Sequence, residues 1–359
     1  MLPLETATLP SGTNLAYTDS WSALAPADRP SKFTTLVALH GVGFNSAVWT
    51  PLLASLPPHL RLIAYNQRSY TGSLAAFEGK EAGGVDATAQ YLVDLMEFLG
   101  FVVEELGAKE KEAGGVVLLG WSKGTVLPIS LLSYLHSSSS SPLSSTSSYL
   151  SHLPPSLPHF SLLTTHLRSI LLFEPPGSAF GRAPTSDYTT AMAAVSPPNS
   201  ATPTEFAEAF AGWIGQYSPP SSSHDQTPVE KLPASGLAAL SPDVLAASWE
   251  PGQVAHGFSW RLSASAGEVQ ALSKLALAPE GREVAVPVGL VYGGRTVGYC
   301  LDAAELVKGW WGVEGNEGEG EGKKRTAVKV IEGTNHFAFV HKPEEFVKVV
   351  LELVEELGA

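Results

Sequence analysis

The strongest chemical signal in this sequence is a serine held between two glycines at the end of an apolar run. Val116-Val117-Leu118-Leu119 leads into Gly120-Trp121-Ser122-Lys123-Gly124-Thr125, and apolar residues resume at Val126, Ile129, Leu131 and Leu132. That order reads as strand, sharp turn and helix, with Ser122 at the tip of the turn. Glycine is needed at 120 and 124 because a side chain there would collide with the neighbouring strand and helix. The turn lifts the Ser122 hydroxyl clear of the backbone, where it can attack a carbonyl carbon. The backbone N–H of Lys123, at the helix start, is then placed to hold the developing oxyanion. In a chain with 34 glycines the motif alone is a weak mark; its weight comes from the strand before it and the helix after it.

A second element points the same way. The β-rich apolar run Phe33 to Leu39 ends in His40-Gly41-Val42-Gly43-Phe44. A glycine-containing loop directly after a buried strand can turn a backbone N–H toward the carboxyl end of a sheet, where α/β sheets place their ligands. The Val42 N–H is therefore the candidate for a second oxyanion donor, opposite that of Lys123. His40 is expected to organise the turn rather than to act as a base. Arg68, in Asn66-Gln67-Arg68-Ser69-Tyr70-Thr71-Gly72-Ser73, is expected to clamp its loop.

These groups need a frame. Residues 5–9 and 14–19, around Pro10-Ser11-Gly12-Thr13, read as an antiparallel hairpin. Leu60 to Tyr65, Leu167 to Phe173, Val284 to Tyr292 and Ala327 to Ile331 read as further buried strands. The strand at 167–173 ends in Glu174-Pro175-Pro176-Gly177, and the last one leads to Gly333-Thr334-Asn335-His336-Phe337. Helices are expected over Ser46–Leu56, Asp86–Leu106, Asp302–Trp311 and from Lys342-Pro343 to the end. Residues 137–161, rich in Ser and Pro, read as a surface insertion without a core of their own. Gly315 to Gly322 reads as an acidic, glycine-rich loop.

Between Gly177 and Glu283 the strand alternation stops. Helix-like pieces appear instead at Thr204–Tyr217, Ser241–Trp249 and Ala266–Ala276. The simplest arrangement is a helical cap over residues 177–283, above a core made of 1–176 and 284–359. Its aromatics Trp213, Tyr217, Trp249, Phe258 and Trp260, with Gly41, Trp121 and Phe337 from the core, are candidates to line an apolar substrate pocket; at least half of the cap's aromatics are expected to form its own core. His256-Gly257-Phe258 imitates the loop at 40–42, but no buried strand precedes it.

Composition narrows the classes. The chain has 359 residues, 44 % hydrophobic and 16 % charged, with a net charge of −13. It reads as a well-buried globular protein, and the negative charge argues against nucleic acid or anionic membranes as partners. No apolar stretch reaches about 18 residues, so no membrane span is expected. The single cysteine, Cys300, excludes an internal disulfide framework and fits a reducing compartment. Met-Leu-Pro-Leu-Glu-Thr carries neither a basic nor an apolar leader region, and a cytoplasmic location is expected.

Taken in register, these motifs resemble the α/β-hydrolase family over nearly the whole chain. The resemblance implies a mostly parallel eight-stranded sheet flanked by helices, with a cap inserted after the strand that follows the serine turn. It implies Ser122 as nucleophile and His336, just after the last strand, as the base, in the family's chain order. Most relatives carry an aspartate after the strand matching Val286–Tyr292, but here the turn reads Gly293-Gly294-Arg295-Thr296-Val297. The first carboxylate beyond it is Asp302. Glu174 stands instead at the end of the preceding strand, where some family members, including enzymes resembling zearalenone-type lactone hydrolases, place their acid. Glu174 is therefore preferred as the third member, with Asp302 as the alternative. A serine at 122 separates the chain from haloalkane dehalogenases and epoxide hydrolases, which share the resemblance but use aspartate there.

The resemblance implies a serine esterase or lactonase acting on a small to medium apolar substrate, with no cofactor and no metal. An acyltransferase or C–C bond hydrolase would keep the same residues. A ligand sensor on the same scaffold, with little turnover, is the alternative from a different class.

Overall fold

Alternating residues of the central strands face opposite ways, and both faces find a hydrophobic partner, which is why the strands read as unbroken apolar runs. The computed structural model describes residues 1–73, 85–137, 160–193, 202–220, 228, 231–234, 236–254, 265–278, 286–313, 318–319 and 326–358. Among these, nine strands form one sheet: β1 (Glu5–Thr8), β2 (Asn14–Asp19), β3 (Thr34–Leu39), β4 (Leu60–Tyr65), β5 (Val116–Trp121), β6 (Leu167–Phe173), β7 (Val288–Gly293), β8 (Gly318–Glu319) and β9 (Thr326–Ile331). Their order is β1-β2-β4-β3-β5-β6-β7-β9-β8. Pairing is parallel from β4 through β9 and antiparallel for β1 with β2, β2 with β4 and β8 with β9.

The helices are α1 (Val85–Glu104), α2 (Val126–Ser137), α3 (Phe160–His166), α4 (Ser186–Met192), α5 (Pro203–Ile214), α6 (Pro242–Ser248), α7 (Ala266–Leu277), α8 (Gly298–Trp311), α9 (Ala338–His341) and α10 (Pro343–Gly358). On one face of the sheet, Val37, Leu118, Ile170 and Leu290 pack with Leu95 of α1, Leu131 of α2, Leu272 of α7 and Val307 of α8. On the other, Leu36, Val117, Leu171 and Val291 pack with Trp49 and Leu52, with Phe346 and Leu353 of α10, and with Phe210 and Trp213 of α5. The sheet is thus covered on both sides, as parallel strands require.

The expected eight strands are all present, and the structure adds a ninth. Gly318–Glu319, read from sequence as loop, pairs with Val328 and Ala327 at the sheet edge. Two residues are too few to carry an alternating signal. The expected helix at Ser46–Leu56 is a run of 3₁₀ turns over Ser46–Ser55 with Pro51 inside it, a residue that has no N–H to give to an α-helical ladder. Helix α8 begins at Gly298, four residues before the expected start, behind Val297 as N-cap with no side-chain cap bond. A helix start without a Ser, Thr, Asp or Asn cap carries no sequence mark. The Ser/Pro-rich stretch lies outside the described residues from 138 to 159, as do Phe258, Trp260 and the His256-Gly257-Phe258 segment.

β4 lies on one side of β3 and β5 on the other. The carboxyl ends of β3 and β5 therefore flank the point where the winding reverses, the usual place for a ligand in an open α/β sheet.

Candidate active site

Ser122 follows β5 directly and has φ 54°, a left-handed conformation costly for any residue with a Cβ. The flanking glycines make the turn possible. A Cβ on Gly120 would lie 2.6 Å from the Gly124 carbonyl oxygen, and one on Gly124 would lie 2.7 Å from that of His40. The Thr125 hydroxyl donates to the Ser122 carbonyl oxygen at 2.6 Å and closes the turn. Gly41 faces the serine across the switch point: a Cβ there would stand 3.1 Å from Ser122 Cβ.

Trp121 and Phe173 are partners in the β5–β6 register, so Ser122 and Glu174 are each the first residue beyond the same rung. Glu174 also has φ 54° and is fully buried. Its N–H donates to the Val291 carbonyl at 2.9 Å, which ties it to β7. Three donors converge on its carboxylate: the Gly293 N–H on Oε1 at 2.6 Å, the Thr296 hydroxyl on Oε2 at 2.5 Å, and His336 Nδ1 on Oε2 at 3.0 Å. A buried carboxylate is tolerable when such donors replace its water.

His336 is 1 % exposed and sits beyond β9. Its ring lies 5.4 Å from that of Trp121, whose Nε1–H donates to the His336 carbonyl at 3.1 Å. The ring is thus fixed through Nδ1 and through its backbone, beside the residue preceding Ser122. Asp302 stands elsewhere. It is exposed on α8 and lines a separate cleft with Arg182, Glu305 and Trp310.

Ser122, Val42 and Lys123 line one cleft. Phe210, Trp213 and Ile214 of α5 form its apolar wall with Tyr188, while Pro176, Ser178, Tyr299 and Cys300 complete it. Of the expected pocket aromatics within the described residues, Trp213 alone is among these. Trp121 and Phe337 are fully buried and pack with Phe44 and Phe339 beneath the cleft. Trp249 packs on Phe44, and the Tyr217 hydroxyl lies 3.1 Å from His341 Nδ1. Sequence reading did not place Thr296, Tyr299 or Cys300 here. The only available sign was that Cys300 is the chain's single cysteine.

The two structural expectations for nearby side chains match the contacts. Arg68 grips Asp94 with Nε at 2.6 Å and Nη2 at 2.8 Å, and Nη2 also reaches the Thr13 hydroxyl. His40 Nε2 accepts the Gln67 N–H at 3.1 Å, which leaves Nδ1 to donate to the Gly41 carbonyl at 3.0 Å. The loop that carries Val42 is thereby tied to a neutral imidazole. Burial lowers the His40 pKa to about 4, and burial likewise lowers that of His341 to about 4.

A pH dependence of stability follows. Above the unfolded value of about 6.5 both histidines are neutral in either state, and their contribution is fully present. As the pH falls toward 4 the unfolded chain takes up protons that the fold refuses, and stability drops by up to about 3 kcal/mol for each histidine. Burial raises the Asp94 pKa to about 6, against the lowering by Arg68, so its early protonation offsets part of this loss. The unfolding free energy from urea titration is expected to fall steadily from pH 6.5 to pH 4, by a net amount on the order of 3 kcal/mol. A flat profile would contradict the neutral, buried state of these histidines.

No family model and no curated protein sequence matches the chain. Solved structures do. A bromoperoxidase from Bacillus anthracis is similar at TM-score 0.55 with 13 % identity, over 98 % of this chain and 100 % of that one. An esterase from Rhodococcus sp. ECU1013 is similar at TM-score 0.53 with 19 % identity, over 99 % of each chain. A haloalkane dehalogenase from Bradyrhizobium elkanii is similar at TM-score 0.51 with 14 % identity, over 99 % of this chain and 97 % of that one. One architecture serves three named chemistries among these proteins, so likeness at this level speaks for the scaffold and leaves the reaction to the site. With its strand order, its serine turn at the switch point and these matches along its whole length, the chain has the α/β-hydrolase fold.

Proposed function

We propose that the protein is a serine hydrolase that cleaves a carboxylic ester or lactone of a small to medium apolar substrate. The observation that carries this reading is the hydrogen bond from His336 Nδ1 to the buried Glu174, formed beside a serine at a strained turn. A serine hydroxyl is a poor nucleophile until an adjacent base takes its proton. His336 Nε2 takes that proton as Ser122 attacks the carbonyl carbon, and returns it to the leaving alkoxide. Glu174 keeps the other proton on Nδ1 and stabilises the imidazolium while it lasts. The N–H groups of Val42 and Lys123 hold the oxyanion; loss of one such donor costs about 3–4 kcal/mol. Water then enters by the same route, with His336 as base, and releases the acid.

The substrate class rests on the cleft wall. Phe210, Trp213, Ile214 and Tyr188 favour an apolar acyl or alcohol group. Helices α4, α5 and α6 belong to the cap in this reading, within the expected residues 177–283. Helix α7 belongs to the core flank, since the Ser133 hydroxyl of α2 donates to the Leu272 carbonyl at 3.1 Å.

Active-site labelling tests the assignment. A fluorophosphonate probe is expected to label wild type once, on the peptide containing Ser122, and to leave Ser122→Ala unlabelled. Wild type is expected to turn over short-chain esters or lactones. Absence of both labelling and turnover would favour a ligand sensor on this scaffold.

A further inference from the structure

Among the described residues, one buried cluster is used only in part by the proposed hydrolysis. Cys300, in the first turn of α8, points its sulfur at the back of the Glu174–His336 pair. Its Sγ lies 3.7 Å from His336 Nδ1 and 3.6 Å from the Glu174 carbonyl oxygen. One ligand atom each from Glu174, Cys300 and His336 can be chosen so that all lie within 4.8 Å of one another, and all three residues are buried. We propose that these three residues form a binding site for a thiophilic divalent cation, Zn²⁺ by its chemistry, and that the bound ion switches the hydrolase off. The switching half rests on the hydrolase reading above; the binding half does not.

The donor set and spacing carry the argument. Tetrahedral zinc with bonds of about 2.0–2.3 Å holds its nitrogen, oxygen and sulfur donors about 3.3–3.6 Å apart. Here His336 Nδ1 stands 3.0 Å from Glu174 Oε2 and 3.7 Å from Cys300 Sγ, two edges close to that spacing, and one ligand atom from each residue lies within 4.8 Å of the others. The supporting shell is already in place: Thr296 and the Gly293 N–H fix the carboxylate, and Trp121 fixes the His336 backbone. Cys300 also lines the cleft with Ser122, which gives the ion, and a water as fourth ligand, a way in. Charge closes as well. One thiolate and one carboxylate neutralise Zn²⁺, so no net charge is buried. Mg²⁺ and Ca²⁺, which want oxygen shells, do not suit a sulfur–nitrogen–oxygen set.

Binding removes the thiol proton to solvent and replaces the Nδ1 proton with the metal. The imidazole then carries its one proton on Nε2, the atom that must accept the Ser122 proton. The ion thus holds His336 in the tautomer that cannot act as base.

Cadmium reports the site directly, because its thiolate charge-transfer absorption in the ultraviolet can arise only from Cys300, the chain's one cysteine. Titration of the full chain in a buffer free of thiols is expected to give the band at one equivalent of Cd²⁺, reversed by Zn²⁺ but not by Mg²⁺. The band is retained in Ser122→Ala and lost in Cys300→Ser. Glu174→Gln, or Glu174→Asp should the former not fold, weakens Cd²⁺ binding at least tenfold. In the activity arm, saturating Zn²⁺ lowers ester turnover at least about a hundredfold, restored by EDTA, while Cys300→Ser stays within about twofold of its own metal-free rate. No band, a band unaffected by both Glu174 variants, or equal inhibition of Cys300→Ser overturns the proposal. If wild type turns over no ester, the hydrolase reading fails and the absorption titration still decides the site.

Discussion

Ser122→Ala is expected to lower kcat for ester hydrolysis by about 10⁴- to 10⁶-fold while KM stays within a few-fold. The size follows from what is removed. Without the hydroxyl no acyl-enzyme forms, and only water positioned against the oxyanion donors can attack. Binding loses little, because the apolar wall that holds the substrate comes from α5 and Tyr188. Stability is expected to change by less than about 1 kcal/mol, since alanine meets the same left-handed backbone penalty as serine. Steady-state kinetics on a turned-over ester, with urea midpoints alongside, measure both. A variant that kept a tenth of the wild-type rate would remove Ser122 from the chemistry.

Glu174→Gln is expected to cost about 10³- to 10⁴-fold in kcat, whereas Asp302→Asn stays within about twofold of wild type. Three donors meet the two oxygens of Glu174. Glutamine offers one oxygen and one amide group, so one donor is left facing another. If the amide oxygen stays with the Gly293 N–H, the NH₂ group faces His336 Nδ1 and drives its proton to Nε2, the tautomer that cannot accept from serine. The loss then appears in kcat, and burial of a mismatched donor costs a further 1–3 kcal/mol or so of stability. Asp302 shares its cleft with Arg182 and Glu305, away from His336. The opposite pattern, with Asp302→Asn inactive and Glu174→Gln active, would move the acid to α8.

The frame was legible because it is written in strong local signals. Runs such as Val116–Leu119 and Leu167–Phe173 are continuous because both faces of their strands are covered. Arg68 could be read as a clamp because an arginine in a tight loop needs a fixed carboxylate, and Asp94 supplies it from α1. The surroundings of the site were not legible. Whether an aromatic lines a cleft or fills a core depends on tertiary packing, and Trp121, Phe337 and Trp249 carry no local mark that separates them from Trp213. The same holds for Thr296, whose hydroxyl reaches a carboxylate 122 positions earlier in the chain. The early start of α8 takes in Cys300, which lies between the Gly293–Val297 turn and the helix expected from Asp302, and that start is what aims its sulfur at His336.

One rung of the sheet has a consequence for how such sequences are sorted. Because Trp121 pairs with Phe173, the residues that follow them emerge side by side, and Glu174 reaches His336 without help from a carboxylate after β7. The turn after β7 contributes a backbone N–H and a hydroxyl instead. A search that demands an acidic residue in that turn would pass over this chain. A search that asks whether the residue beyond the rung paired with the end of the serine's strand is acidic would retrieve it, with any other protein that carries a carboxylate one strand inward.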